Sequence, residues 1–155
     1  LDKSLLEKSP FRLSGGEKRK VAIAGVLAMK PKVLILDEPA AGLDPKGRDE
    51  IYEAVAKYKK ENNATIILVS HSMEDLARYV DRIVVLNKGR IEMDGRIAEV
   101  FRNDAMLKEI GLSVPQITRF MRLLKERIPD LNSDVFTVEA AKEEILSFMS
   151  KRAMQ

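Results

Sequence analysis

Three apolar runs constrain what this chain can fold into more than any other feature. "VLILD" (33–37), "TIILVS" (65–70) and "RIVVLN" (82–87) are rich in leucine, isoleucine and valine, and segments of helical patterning separate them. Continuous runs of this kind read as strands covered on both faces, the pattern of a parallel sheet. Strands that alternate with helices place the chain in the α/β class, with a mainly parallel sheet. Sheets of this class bind ligands beyond the C-terminal ends of their strands. Asp37, Glu38 and His71 stand at such ends.

The spacing predicts a helix over about 16–30, apolar on every side in its second half, almost fully buried there, and ended by Pro31. A second helix starts at Pro45, well placed just after Asp44, and runs to about Lys60. A third covers about 73–79, "KGRIEMDG" (88–95) reads as a tight turn and a short return strand, and two short helices end at Gly111. From Leu112 the character changes. Ile117, Phe120, Met121, Leu124 and Ile128 fall on one helical stripe, and Val138, Ala141, Ile145, Phe148 and Met149 on another. Residues 1–111 are therefore expected to form the main α/β part and 112–155 a helical appendage too short for a core of its own. Its stripes can pack back on the main part or bury against a second copy or a paralogue. The second is the expectation carried forward, with Ile117, Phe120, Leu124, Ile145, Phe148 and Met149 at the contact.

Composition removes several classes of function. The net charge is only +3, with 24 acids interspersed among the basic residues, which argues against a nucleic-acid partner. The chain has no cysteine, so there is no disulfide framework and no thiolate metal site. Its single histidine excludes multi-histidine metal sites. The longest strongly apolar stretch, "VAIAGVLAM", is too short to span a bilayer.

The residues that can carry chemistry form three groups. In "LSGGE", Ser14 is an N-cap and Glu17 completes a capping box. Gly15 and Gly16 leave the first turn bare, so an ordinary capped helix and an anion site at a helix N-terminus both fit. Asp37 and Glu38 are adjacent carboxylates that point to alternate sides of an extended chain. One can hold a Mg²⁺ shell and the other can face an attacking water as general base, although a solvated pair is the plainer reading. His71 follows the next strand, and adjacent strand ends of a parallel sheet would bring it near Asp37 and Glu38; it can donate to a phosphate oxygen, or can be a satisfied structural residue.

Four motifs in order give these residues a family resemblance. "LSGGE" (13–17), "VLILDEP" (33–39), "GLDP" (42–45) and "SHSMED" (70–75) resemble the signature loop, Walker B strand, D-loop and switch histidine of ABC-type ATPases. The resemblance implies a partial P-loop NTPase fold, with ATP and Mg²⁺ as ligands. It implies that Ser14, Gly15, Gly16 and Glu17 contact ATP held by a second ATPase subunit, identical or paralogous. Asp37 would order the Mg²⁺ shell, Glu38 would polarise the attacking water, Asp44 would cross the dimer interface and His71 would contact the γ-phosphate of its own subunit's ATP.

"GLSVPQITRFMRLLKERIPDLNSDVFTVEAAKEEI" is similar to the C-terminal extension of the ATPases of energy-coupling factor transporters, which import vitamins and metal ions. Glu17 in place of the commoner glutamine fits the same family. That resemblance implies a transmembrane coupling subunit and a substrate-binding membrane subunit as partners, and a peripheral place on the cytoplasmic face of the membrane. No G-x-x-x-x-G-K-[ST] occurs in the sequence. The chain is accordingly expected to be the C-terminal half of a longer ATPase and to be inactive alone. Two other readings remain: a soluble ABC ATPase of DNA-repair type, and a non-catalytic dimerisation or regulatory module.

Overall fold

The computed structural model describes residues 8–153, which fold as two compact units that meet in sequence between His71 and Ser72. In the first unit a 3-10 turn (Pro10–Arg12) leads into α1 (Gly15–Ala28), β1 (Val33–Asp37), α2 (Pro45–Asn62) and β2 (Thr65–Val69). β1 and β2 pair in parallel, from Val33 opposite Thr65 to Asp37 opposite Val69. Parallel neighbours need a crossover connection, and α2 supplies it.

The helix begins at Pro45 behind the Asp44 cap, whose Oδ1 accepts from the Gly47 N–H at 3.1 Å. It ends at Asn63, which takes the left-handed conformation at φ 48°. Ile51, Tyr52, Val55 and Tyr58 make its buried face, and the Tyr58 hydroxyl donates to the Pro31 carbonyl at 2.8 Å.

The strands are not covered on both faces. Leu34 and Leu36 point into a cluster with Val55, to which Leu27, Ile66 and Leu68 add. The opposite face is open within the unit: Val33, Ile35, Ile67 and Val69 are 46–65% exposed. Both helices contribute to the same cluster, so only one face of the pair gains cover. For the same reason α1 contains no buried residue, against the expectation of near-complete burial. Its all-round apolar surface meets protein on one side only.

The second unit contains α3 (Met73–Tyr79), β3 (Arg82–Asn87), β4 (Arg90–Arg96), α4 (Ile97–Arg102), α5 (Asp104–Glu109), α6 (Gln116–Arg127) and α7 (Val138–Ala153). β3 and β4 form an antiparallel hairpin with an irregularity at Val85/Leu86. Lys88 and Gly89 both have positive φ at its tip, the backbone that matches the twist of a two-residue hairpin. The α/β class therefore holds, with one parallel pair and one antiparallel pair among the described residues.

Residues 112–153 are not a separate body in this unit. Arg122 donates to the Phe101 carbonyl at 2.7 Å, Arg102 pairs with Asp134 at 2.8 Å, and the Phe101 and Phe136 rings lie 5.6 Å apart. The contacts thus divide the chain at 71/72, where the sequence pattern suggested 111/112. The tail also has its own core, contrary to expectation. Met121, Leu131, Val135 and Ala141 are buried together, with Ile117, Leu124, Ile128, Ala140, Ile145 and Phe148 packed on them. The buried Thr118 hydroxyl is satisfied by the Val135 carbonyl at 2.8 Å. The two stripes hence meet each other, and Phe120 and Met149 fall outside the contact at 52% and 60% exposure.

Candidate functional site

The site residues of the first unit lie at three points: the end of β1, the start of α1 and the start of α2. At the C-terminal end of β1, Asp37 is exposed and Glu38 leaves the strand. Glu38 has φ 44°, a left-handed backbone unusual for a residue with a side chain. Its N–H still donates to the Val69 carbonyl at 2.9 Å, so the turn begins where the ladder with β2 ends. The parallel register brings the end of β2 alongside. His71 then gives two groups to one carboxylate oxygen: its backbone N–H donates to Glu38 Oε1 at 2.9 Å, and its ring Nδ1 lies 2.6 Å from the same atom. The expected approach of His71 to Glu38 is therefore seen, with Nδ1 facing the carboxylate and Nε2 left as the second ring nitrogen. The His71 side chain is 82% exposed, so that second nitrogen is accessible.

At the start of α1 the capping box is complete. Ser14 Oγ accepts from the Glu17 N–H at 3.2 Å, and Glu17 Oε2 accepts from the Ser14 N–H at 2.8 Å. Glu17 Oε1 also meets the Lys8 ammonium at 2.8 Å. The Lys8 bond first, and then the Ser14 N–H, lower the Glu17 pKa from 4.5 to about 2. Gly15 has open space where a Cβ would stand, whereas a Cβ on Gly16 would lie 3.0 Å from Leu43 Cδ2. The two glycines thus differ. Gly15 keeps the helix N-terminus bare, and Gly16 lets Leu43 of the "GLDP" loop approach.

Asp44, the third point, uses Oδ1 to cap α2. A Cβ on Gly47 would stand 2.6 Å from that oxygen, so a side chain there would have to shift the cap. Two contacts were not legible in the sequence. Arg19 Nη1 donates to the Ala41 carbonyl at 2.6 Å, and Lys20 bonds to Glu50. A basic run after a capping box reads as a solvated face, and no local signal marks Arg19 as a bonded residue.

Among the described residues no three acidic, histidine or cysteine side chains converge as a metal cage. Asp37 offers a single exposed carboxylate, a donor that fits Mg²⁺, which keeps most of its waters and takes few protein ligands.

The motif order and the strand-end placement of Asp37, Glu38 and His71 resemble those of one class, the ABC-type ATPases. Within it the chain resembles the energy-coupling factor transporter ATP-binding protein EcfA2. It is 57% identical to the EcfA2 of Acetivibrio thermocellus over 97% of this chain and 54% of the relative. It is 54% identical to that of Clostridium perfringens over 92% of this chain and 50% of the relative. The chain spans about half the length of the curated relatives it matches.

A family model described as "AAA domain, putative AbiEii toxin, Type IV TA system" matches residues 3–76. Among solved structures, cbiO1 from Clostridium perfringens, part of the ABC transporter complex cbiONQ, aligns with a TM-score of 0.60 and 40% identity. That alignment covers 79% of this chain and 48% of the other. The ATP-binding cassette MJ0796, solved as a dimer with ADP and Pi, aligns with a TM-score of 0.56 and 32% identity, covering 63% and 41%.

Proposed function

We propose that this chain is the part of an energy-coupling factor ATPase subunit that carries the water-activating and partner-facing residues. In this reading the whole protein hydrolyses ATP to drive import of vitamins or metal ions. The observation that carries the proposal is the convergence of Glu38 and His71 on one oxygen at the end of a parallel strand pair. Names of relatives at 54–57% identity support the transporter reading over a soluble DNA-repair ATPase.

Glu38 holds His71 through Oε1, which leaves Oε2 to accept a proton from water. His71 keeps Nε2 as its second ring nitrogen, which can meet a phosphate oxygen. Asp37 would hold the hydrated Mg²⁺, which supplies neutralising charge to the phosphates when bound. Ser14 and Gly15 present the N-terminus of α1, whose N–H groups favour an anion. In this reading the anion is the nucleotide of a second ATPase subunit, and Gly16, Glu17 and Asp44 shape the surface that meets it. Membrane coupling and substrate-binding subunits complete the assembly at the cytoplasmic face, where the protein is peripheral. Among the described residues no helix is long and apolar enough to cross a membrane.

The test is ATP hydrolysis by the intact transporter carrying Glu38→Gln. Turnover at the parent rate would remove Glu38 from the role of base.

A further inference from the structure

We propose that Arg19 is a positioning residue that fastens the loop between Glu38 and Asp44 to α1. The inference rests on the functional reading above, because it concerns the spacing between two parts of that site. The loop runs Glu38, Pro39, Ala40, Ala41, Gly42, Leu43, Asp44. It leaves β1 at the candidate base and ends at the cap of α2. Two short turns shape it: the Ala41 N–H donates to the Glu38 carbonyl at 3.1 Å, and the Leu43 N–H donates to the Ala40 carbonyl at 3.2 Å. Gly42 has φ 74°, which lets the chain reverse there.

Such a loop has no sheet ladder of its own, and Ala41 and Gly42 are exposed. Three contacts tie it and the helix after it to α1. A Cβ on Gly16 would stand 3.0 Å from Leu43 Cδ2, so Leu43 would have to give way to any side chain there. Lys20 bonds to Glu50 of α2. Arg19 reaches the apex directly, with Nη1 2.6 Å from the Ala41 carbonyl. Among the described residues, Arg19 gives the loop's own backbone a hydrogen bond from α1. A guanidinium donor is charged, so this bond is stronger than a neutral one.

The helix start carries Ser14 and Gly15, and the loop carries Glu38 at one end and Asp44 at the other. In an ATP site shared between two subunits, α1 serves the partner's nucleotide while Glu38 serves its own. Arg19 therefore sets how far the edge facing one nucleotide stands from the loop that leads to the other. It acts through Ala41 and touches no nucleotide itself.

The test uses the intact ATPase with Arg19→Met, which keeps an apolar stem and removes the guanidinium, and Arg19→Lys, which keeps a charged donor. Hydrogen exchange at Ala41 and Leu43 should speed up in Arg19→Met and recover in part in Arg19→Lys. ATPase kcat should fall on the order of 10- to 100-fold in Arg19→Met, with KM for ATP within about twofold, because the residue meets no ground-state contact of the nucleotide. Arg19→Lys should restore part of kcat. Unchanged loop exchange overturns the tether, and faster exchange at the parent kcat overturns the positioning role. A parent whose activity ignores Glu38→Gln overturns the functional reading instead, and the exchange result then decides the tether alone.

Discussion

His71 holds Glu38 by two groups at once, its backbone N–H at 2.9 Å and its ring Nδ1 at 2.6 Å from a single carboxylate oxygen. The backbone bond survives any substitution at 71 except proline. His71→Ala should therefore leave Glu38 placed while removing Nε2. Glu38→Gln keeps an oxygen acceptor for both groups and removes the proposed base. In the intact ATPase, Glu38→Gln should lower phosphate release by about 10²–10⁴-fold, the usual worth of a general base. His71→Ala should also lower turnover, and neither variant should shift the thermal midpoint appreciably. A midpoint that falls with activity in Glu38→Gln would mean that the pair is structural.

Glu17 should titrate far below an ordinary glutamate. Its folded pKa is lowered from 4.5 to about 2, so its contribution to the start of α1 is fully present above about 4.5. That contribution is lost as pH falls from there toward about 2. Carboxyl NMR should place the midpoint near the lower value, and added salt should raise it by screening Lys8. An ordinary midpoint at low salt would mean that the Lys8 pair does not form in solution.

The three glycines near the site should respond differently to alanine. Gly15→Ala meets open space and gains helix propensity, about 1 kcal/mol in a helix interior and less at its first turn. It should stabilise α1 while lowering ATPase activity in the intact protein. Gly16→Ala must move Leu43, and Gly47→Ala must displace the Asp44 cap oxygen. Loss of that cap should cost about 1 kcal/mol. Denaturant melts of the three variants rank them, and a destabilised Gly15→Ala would contradict the open space.

In the tail, Met121→Ala should cost about 2–5 kcal/mol, because Met121 is fully buried in a shared core. Phe148→Asp should also unfold the tail, since Phe148 packs on that core. Phe120→Asp with Met149→Asp should stay folded, and sedimentation of this pair isolates any contact with a second copy. Loss of helicity in the Phe120/Met149 pair would show that these side chains are needed at home.

The 155-residue chain should not hydrolyse ATP alone, since its sequence has no phosphate-cradling G-x-x-x-x-G-K-[ST]. Steady Mg²⁺-dependent phosphate release that Glu38→Gln abolishes would refute this.

Element positions were legible because their signals are local. Ser14 and Glu17 announce α1, Asp44 and Pro45 announce α2, and the apolar runs mark β1, β2 and β3 within a residue. The approach of His71 to Glu38 was legible too, because parallel register aligns the ends of neighbouring strands. Cover was not legible. "VLILD" carries enough apolar residues for two buried faces, yet burial depends on what lies opposite, and within the first unit only the side of Leu34 and Leu36 is covered. The tail erred in the other direction. The spacing of Ile117, Leu124, Ile145 and Phe148 shows a stripe, but no stripe names its partner, and here each helix found the other. Arg19 was missed because its bond joins residues 22 positions apart.

The left-handed backbone of Glu38, at φ 44°, separates what the fold wants from what the chemistry wants at this position. A residue with a Cβ held there costs about 1–2 kcal/mol that glycine would not, and asparagine would lose less of it. Glycine or asparagine at 38 would relax the turn and delete the carboxylate. Selection of variants by heat resistance alone should therefore drift toward those residues and yield a sturdier, silent protein. On the proposed function, selection by ATP hydrolysis would hold the acid in place against the preference of its own backbone.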